Sequence, residues 1–438
     1  MKSHYETVTK QTHLKELLQD KERNAALTMK FDDKIIMDFT HTKIDAEGLK
    51  LLKLVAGELQ VSEKIKKMFD GEKINTTEKR QVWHVKLRTQ SEGEQVDKDV
   101  KAVQKSIETF SEAIRSGTKK GFTGKDIKTV VAIGIGGSYL GPEFIAEALK
   151  TDSEAAAAAE GRQLKFLANV DPIDVKRALE GVDFETTLFV IVSKTFTTAE
   201  TMLNARTVKR AIVEYFTSQQ ADCDQAEALK AHLCAVSTNL KATSDFGIDD
   251  DNVFGFWDWV GGRFSASSAV GLLPLSLHYG HDIMQKFLQG MAEMDTYLTT
   301  DDLDSGVAFM GLIGWYNTYI CGIEARAILP YCQALLRFPA HIQQLDMESN
   351  GKGVSLGGTR LAEGVEAGPI ILGEPGTNGQ HSFYQLMHQG RVIAAEFIGF
   401  SESQTPMDSE DEVVSNHDEL MSNFFAQPDA LALGKTLE

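Results

Sequence analysis

A chain of 438 residues exceeds the ~250–300 residues at which one hydrophobic core stops growing, which excludes a single small module and predicts two or three domains. Its 42% hydrophobic and 25% charged residues, with 36 Gly and 9 Pro, exclude disordered, collagen-like and mucin-like chains. The 63 acidic against 45 basic residues leave a formal charge of -18, a field that repels nucleic acid and anionic lipid but admits a small anionic ligand where several donors converge in one cleft.

The first 24 residues contain no apolar export core and are not the Arg- and Ser-rich, acid-free type of a transit peptide. No run of 18 apolar residues follows, so a cytoplasmic protein without a membrane partner is expected. From residue 12 to about 118, apolar residues recur at three and four spacing in HLKELLQ, AEGLKLLKLVAGEL and DVKAVQKSIETFSEAIRSG, which predicts a helical N-terminal region with KIIMDFTH as one strand candidate. Gly117, Gly121 and Gly124 punctuate a break. After it, the short β-branched runs TVVAIGIGG, KFLANVD, TLFVIVSKT and HLCAVST alternate with helical stretches such as GPEFIAEAL and TAETMLNARTVKRAIVEYF. That alternation predicts a doubly wound parallel sheet covered on both faces.

Beyond about residue 260 the pattern turns mainly helical, through SGVAFMGLIGWYNTYICGIEARAILPY, and strand candidates return at GPIILGE and RVIAAEFIGF. The expected division is a helical region over 1–118, a first α/β domain over 119–290 and a second over 291–438. Ala155 to Ala159 reads as a solvated helix end or loop, and SESQTPMDSEDEVVSNHDEL, with carboxylates and no Lys or Arg, as an exposed loop. Cys223, Cys234, Cys321 and Cys332 are too few for a disulfide framework and form no CxxC pair, so they read as reduced and mostly buried.

Five segments could carry chemistry. GIGGSYLGP (Gly134 to Pro142) lies between a strand and a helix, where glycines let an anion approach bare N–H groups. Tyr139 stands where the third glycine of a dinucleotide fingerprint belongs, which disfavours NAD; a ligand-free turn is the alternative. SKTFTT (Ser193 to Thr198) follows a buried strand and supplies hydroxyls and Lys194 at a helix start, with Thr197 and Glu200 spaced as a capping box. It suits a phosphate or is a plain N-cap. In WDWVGGRFSASSAVGL, Arg263 either stabilises a developing anion, caps helix carbonyls or pairs with Asp258. HIQQLDMESNGKG offers Asp346 and Glu348 as general bases beside an Asn350-Gly351 turn, or as surface acids. GEPGTNGQHSFYQLMHQG reads as a glycine-rich turn and then a helix, with His381 in its first turn facing a ligand and His388 facing the core or a structural partner. The His278 and His281 pair is weak as a metal site, and no metal is assigned.

Taken in order, GIGGSYLGP, SKTFTTAET, VGGRFSASSAVGL, QQLDMESNGK and GEPGTNGQHSFYQLMHQG closely resemble the glucose-6-phosphate isomerase family over nearly the whole chain. The resemblance implies two sugar-isomerase (SIS-type, flavodoxin-like) three-layer α/β/α domains and no cofactor. It implies a sugar-phosphate substrate, glucose 6-phosphate exchanging with fructose 6-phosphate through a cis-enediolate. By position, the phosphate falls to Ser193, Lys194, Thr195 and Thr198, with Gly137 and Ser138 lining the sugar site. Glu348 becomes the base with Gln344 beside it, Arg263 the stabiliser of the anionic intermediate, and His381 the ring-opening group, reaching the site from the neighbouring subunit of a homodimer. The family continues with a C-terminal segment carrying a further lysine; this chain stops at LALGKTLE, Lys435 is not that lysine, and a truncated second domain is expected. A non-catalytic sugar-phosphate-binding protein and an isomerase that also accepts mannose 6-phosphate are the alternatives.

Overall fold

The structure, a computed structural model, describes residues 1–365, 367–407 and 411–435. It forms two units: one combines Met1–Lys79 with Glu293–Glu438, and the other is Arg80–Ala292. The helical stretch expected over 1–118 is therefore shared between them.

In the first unit, strands β1 (Thr28–Phe31) and β2 (Ile35–Asp38) pair as an antiparallel hairpin with Thr28 opposite Asp38. Only the second was expected from sequence; TMKF is too short to show a period. Around Leu27, Ile44 and Leu52 pack Phe309, Leu312 and Tyr316 from the helix Gly306–Trp315 and the turn after it.

The second unit holds β3 (Thr129–Ile133), β4 (Gln163–Leu167), β5 (Thr187–Val192), β6 (Leu233–Val236) and β7 (Val253–Phe254), all parallel, in the order β4-β3-β5-β6-β7. Four match the expected runs; the two-residue β7 gave no signal. β3, β5 and β6 are buried at every position because helices cover both faces. Alternation decides the face. Val130, Leu188 and Val190 meet the helix Ala269–Tyr279 and Val100, Ile107 and Ile114 of the helix Gln95–Arg115. Val131, Phe189 and Ile191 meet Ala205, Val208 and Ile212 of the helix Ala199–Gln219. Each such buried Val, Leu, Ile or Phe side chain contributes about 1.5–3 kcal/mol. The strand order reverses between β3 and β5, so a crevice for ligand is expected outside the carboxyl ends of those two strands.

In the first unit again, β8 (Ala325–Pro330), β9 (Ile370–Leu372) and β10 (Ala394–Ile398) make a parallel sheet ordered β10-β8-β9. β9 and β10 fall where expected. β8 corrects the helical reading of IEARAILPY: its four last residues are buried, and a fully buried strand has no alternation to set it apart from a buried helix. The acidic SESQTPMDSEDEVVSNHDEL is not loop throughout. Residues 408–410 lie outside the described residues, and Ser415 caps the helix Asn416–Leu433 by accepting from the Asp418 N–H, which puts Asp418 and Glu419 in its first turn. Ala155, read as solvated, is fully buried in the helix Ser153–Ala158. All four cysteines are free, with Cys234 buried and the other three half-buried. Among the described residues no helix is long and apolar enough to cross a membrane.

Candidate active site

The loop after β5 is held from beneath. Its first residue, Ser193, is buried, and the Lys194 carbonyl accepts from the Thr238 N–H (2.9 Å), the Thr238 hydroxyl (2.8 Å) and the Ser237 hydroxyl (3.2 Å). Asn239 donates to the Thr195 carbonyl at 3.1 Å. Phe196 takes a left-handed φ of 57°, costly for a bulky residue, and its buried ring meets Phe246 at 5.6 Å. This anchoring leaves Thr195 and Thr197 exposed, their hydroxyls 2.6 Å apart, while the Ser193 hydroxyl donates to Thr198 at 3.3 Å.

Thr198, not Thr197, is the N-cap of the helix Ala199–Gln219, and its side chain makes no cap bond. The expected Thr197–Glu200 capping box is therefore absent: the left-handed Phe196 sets the chain entering the helix one residue later. A helix of 21 residues thus presents a start unblocked by side chains beside four hydroxyls, an arrangement that favours an anion.

Two further segments of the same unit adjoin this loop. Lys194 is not turned to solvent; its ammonium donates to the Asp258 carbonyl (3.2 Å) and the Val260 carbonyl (3.3 Å) and lies over the Phe256 ring. Gly137 lies against the backbone of Gly262 and Arg263, and the Ser265 hydroxyl donates to the Gly137 carbonyl at 3.4 Å. The structure thus brings Gly137, Ser138, the Ser193–Thr198 loop and the Arg263 segment into one neighbourhood. Arg263 is half-buried, and its Nε is enclosed without a hydrogen-bond partner. The Asp258 pairing and the carbonyl cap are both absent among the described residues. An unpaired guanidinium next to an anion cradle is poised to meet charge on a ligand.

Gln344, Glu348 and His381 lie in the other unit. Gln344–Glu348 is one π-helical turn inside a helical run that starts at Phe338. It packs on β9, with the Gln343 amide donating to the Ile371 carbonyl at 3.3 Å. Glu348 is therefore on a helix rather than just before a turn; it is exposed, and its carboxylate has no partner among the described residues. Asp346 is committed elsewhere, to Arg326 (3.4 Å) and to the Asn350 amide (2.7 Å), which leaves Glu348 as the available base of the two. Gln344 Oε1 is buried without a partner.

His381 ends a short 3-10 turn, Asn378–His381, and is exposed; the helix starts only at Tyr384, so the expected first-turn placement is corrected. Gly376 and Tyr331 cause this offset. A Cβ at 376 would stand 2.5 Å from the Tyr331 ring, and the Tyr331 hydroxyl donates to Gln380 at 2.8 Å, holding the glycine turn down. His388 is exposed rather than in the core and contacts Gln427 at 3.0 Å, the second of the two settings expected of it. His278 and His281 serve packing, His281 contacting Gln285 at 2.8 Å. Among the described residues no group of three or more His, Cys, Asp or Glu could hold a metal ion.

Sequence reasoning missed His84 and the Ser237–Asn239 latch. His84 stacks on Phe264, ring centroids 4.5 Å apart, directly beside Arg263, and burial holds its pKa down to about 4, with Arg88 adding to the depression. Only the Ser-Thr-Asn run after a buried strand hinted at the latch.

Parallel α/β sheets with an exposed hydroxyl loop at the switch point and an unpaired guanidinium beside it offer the kind of donors that a small anionic ligand meets. The family model described as phosphoglucose isomerase matches residues 38–438, and the chain belongs to that family. It is 54% identical over 434 residues to the rice (Oryza sativa subsp. japonica) protein named glucose-6-phosphate isomerase, cytosolic B, covering 98% of this chain and 75% of that protein. The Arabidopsis thaliana cytosolic glucose-6-phosphate isomerase is 52% identical over 445 residues, covering all of this chain and 77% of its own length. The crystal structure of a glucose-6-phosphate isomerase from Chlamydia trachomatis D/UW-3/Cx superposes with a TM-score of 0.81 at 29% identity, over 96% of this chain and 78% of that one.

Proposed function

We propose that this chain interconverts glucose 6-phosphate and fructose 6-phosphate in the cytosol, by ring opening and proton transfer through a cis-enediolate. The Ser193, Lys194, Thr195 and Thr198 loop holds the phosphate, and Gly137 and Ser138 line the sugar. Its hydroxyls and the open helix start match the acceptor-rich dianion. His381 passes a proton between the ring oxygen and the anomeric hydroxyl as the ring opens. Glu348 takes the proton from C2, leaving an enediolate whose charge Arg263 meets; the hydroxyl proton on O2 passes to O1, and Glu348 returns its proton to C1, with Gln344 hydrogen-bonded to the sugar hydroxyls. The protein acts as a homodimer in which His381 serves the neighbouring subunit's site.

The observation that carries this reading is the unpaired Arg263 guanidinium held by the Gly137 turn beside the hydroxyl loop. A fixed cation is what an enediolate needs in a site where water cannot reorganise around it. The test is Glu348→Gln in a coupled assay run from both sugars. Loss of the base lowers kcat about 10²–10⁴-fold with sugar-phosphate binding retained. An unchanged rate removes Glu348 from the mechanism, and binding without interconversion by the unaltered protein makes it a sugar-phosphate-binding protein instead.

A further inference from the structure

We infer that Arg326 and Asp346 are a positioning pair that holds the π-helical turn carrying Glu348 in register and so decides where the base's proton goes. The inference rests on the reading of Glu348 as base.

Arg326 sits on β8 between two carboxylates. Its Nε and Nη2 reach Glu396 Oε1 on β10 at 2.8 and 2.5 Å, and its Nη1 reaches Asp346 Oδ2 at 3.4 Å. Glu396 is enclosed enough that burial raises its pKa despite the guanidinium. The other oxygen of Asp346 accepts from the Asn350 amide at 2.7 Å, so the carboxylate ties the sheet to the end of the helix on both sides of Glu348. Two residues apart on a helical turn, Asp346 and Glu348 point to roughly opposite sides. The structure agrees: Asp346 is turned inward to Arg326, and Glu348 is exposed.

A π turn is a rare, less favourable helical register that persists where tertiary contacts demand it, frequently at functional sites. Here the demand comes from Asp346 to Arg326, helped by the Met347 sulfur accepting from the Ile371 N–H at 3.4 Å. Were Asp346 released, the turn could tighten to α register, and each residue of register change rotates a side chain by about 100° around the axis. Glu348 would then face differently. A half-buried ion pair of this kind adds little net stability, because desolvation offsets the attraction. Its effect on orientation is the larger consequence.

The test uses the whole protein and glucose 6-phosphate carrying deuterium at C2. For Asp346→Ala, Asp346→Asn and Arg326→Lys, kcat, KM and the share of label delivered to C1 rather than lost to water are measured. That share is a per-turnover ratio, unaffected by the fraction of folded protein. We expect Asp346→Ala to lower kcat about 10- to 100-fold through misplacement of the base, with KM within about twofold and label loss to water raised severalfold. Arg326→Lys keeps a charge for both Asp346 and Glu396 and is expected to retain part of the transfer that Asp346→Ala loses. Should Asp346→Ala not fold, Asp346→Asn decides, since it keeps an oxygen for Asn350 and loses the charge for Arg326. Unchanged kcat and label partition while Glu348→Gln is inactive overturn the pair alone. Activity retained by Glu348→Gln overturns the base assignment and this inference with it.

Discussion

A Cβ built on Gly137 stands 2.0 Å from the carbonyl oxygen of Gly262 and 3.0 Å from the Arg263 amide nitrogen. The turn after β3 and the turn that carries Arg263 therefore touch backbone to backbone, and neither neighbour has a flexible end that could swing aside. Gly137→Ala forces the two turns apart. Overpacking of this kind costs about 1–3 kcal/mol, and a shift near 1 Å at a positioned cation lowers kcat/KM about 10²-fold. Urea unfolding and the coupled assay measure the two effects separately. An alanine variant with unaltered melting and turnover would falsify the contact.

The second prediction concerns acid. His84 and His278 both have pKa values held down to about 4, by burial first, and then by Arg88 beside His84 and by Arg115 and Arg162 near His278. Both are neutral in the folded protein, so protons bind the unfolded chain more readily. The stability they supply is complete above the ordinary value of 6.5, declines as pH falls below it, and is gone beneath about 4. Each depression corresponds to about 3 kcal/mol. His84→Phe keeps an aromatic ring on Phe264 and removes the titrating group. Its melting temperature should fall less steeply than that of the unaltered protein from about pH 7 to about pH 4; parallel curves would show that His84 does not contribute.

What was legible in the sequence follows from where local signals survive packing. β3, β5 and β6 are short apolar runs bounded by glycine or polar turns, and the strand–loop–helix order alone put Gly137 and Ser193 at strand ends. β8 was lost because ARAILP is apolar without alternation and follows a helical pattern directly. The Thr197–Glu200 spacing was a true capping signature that tertiary structure overrode, since burying Phe196 required a left-handed residue that no propensity favours. His84 could not be found from its own surroundings in the chain. Its meaning comes from Phe264, 180 residues away in sequence, and from a stacking contact that leaves no spacing rule. Asp346 and Glu348 were indistinguishable as bases until Arg326 was seen to engage one of them.

The last prediction separates binding from packing at Gln344. Its Oε1 is buried with no hydrogen-bond partner, and an unmade buried acceptor costs about 1–3 kcal/mol. A side chain placed for packing alone gains nothing from that oxygen, whereas one that meets a sugar hydroxyl recovers the cost when substrate binds. Gln344→Leu keeps a comparable volume one atom shorter and has no polar atom. Its stability in urea should equal or exceed that of the unaltered protein by on the order of 1 kcal/mol. Its kcat/KM should fall at least tenfold, the loss expected when a sugar hydroxyl enters the site and finds no acceptor, about 1.4 kcal/mol. The opposite outcome, lower stability with full turnover, would make Gln344 a structural amide and take it out of the sugar site.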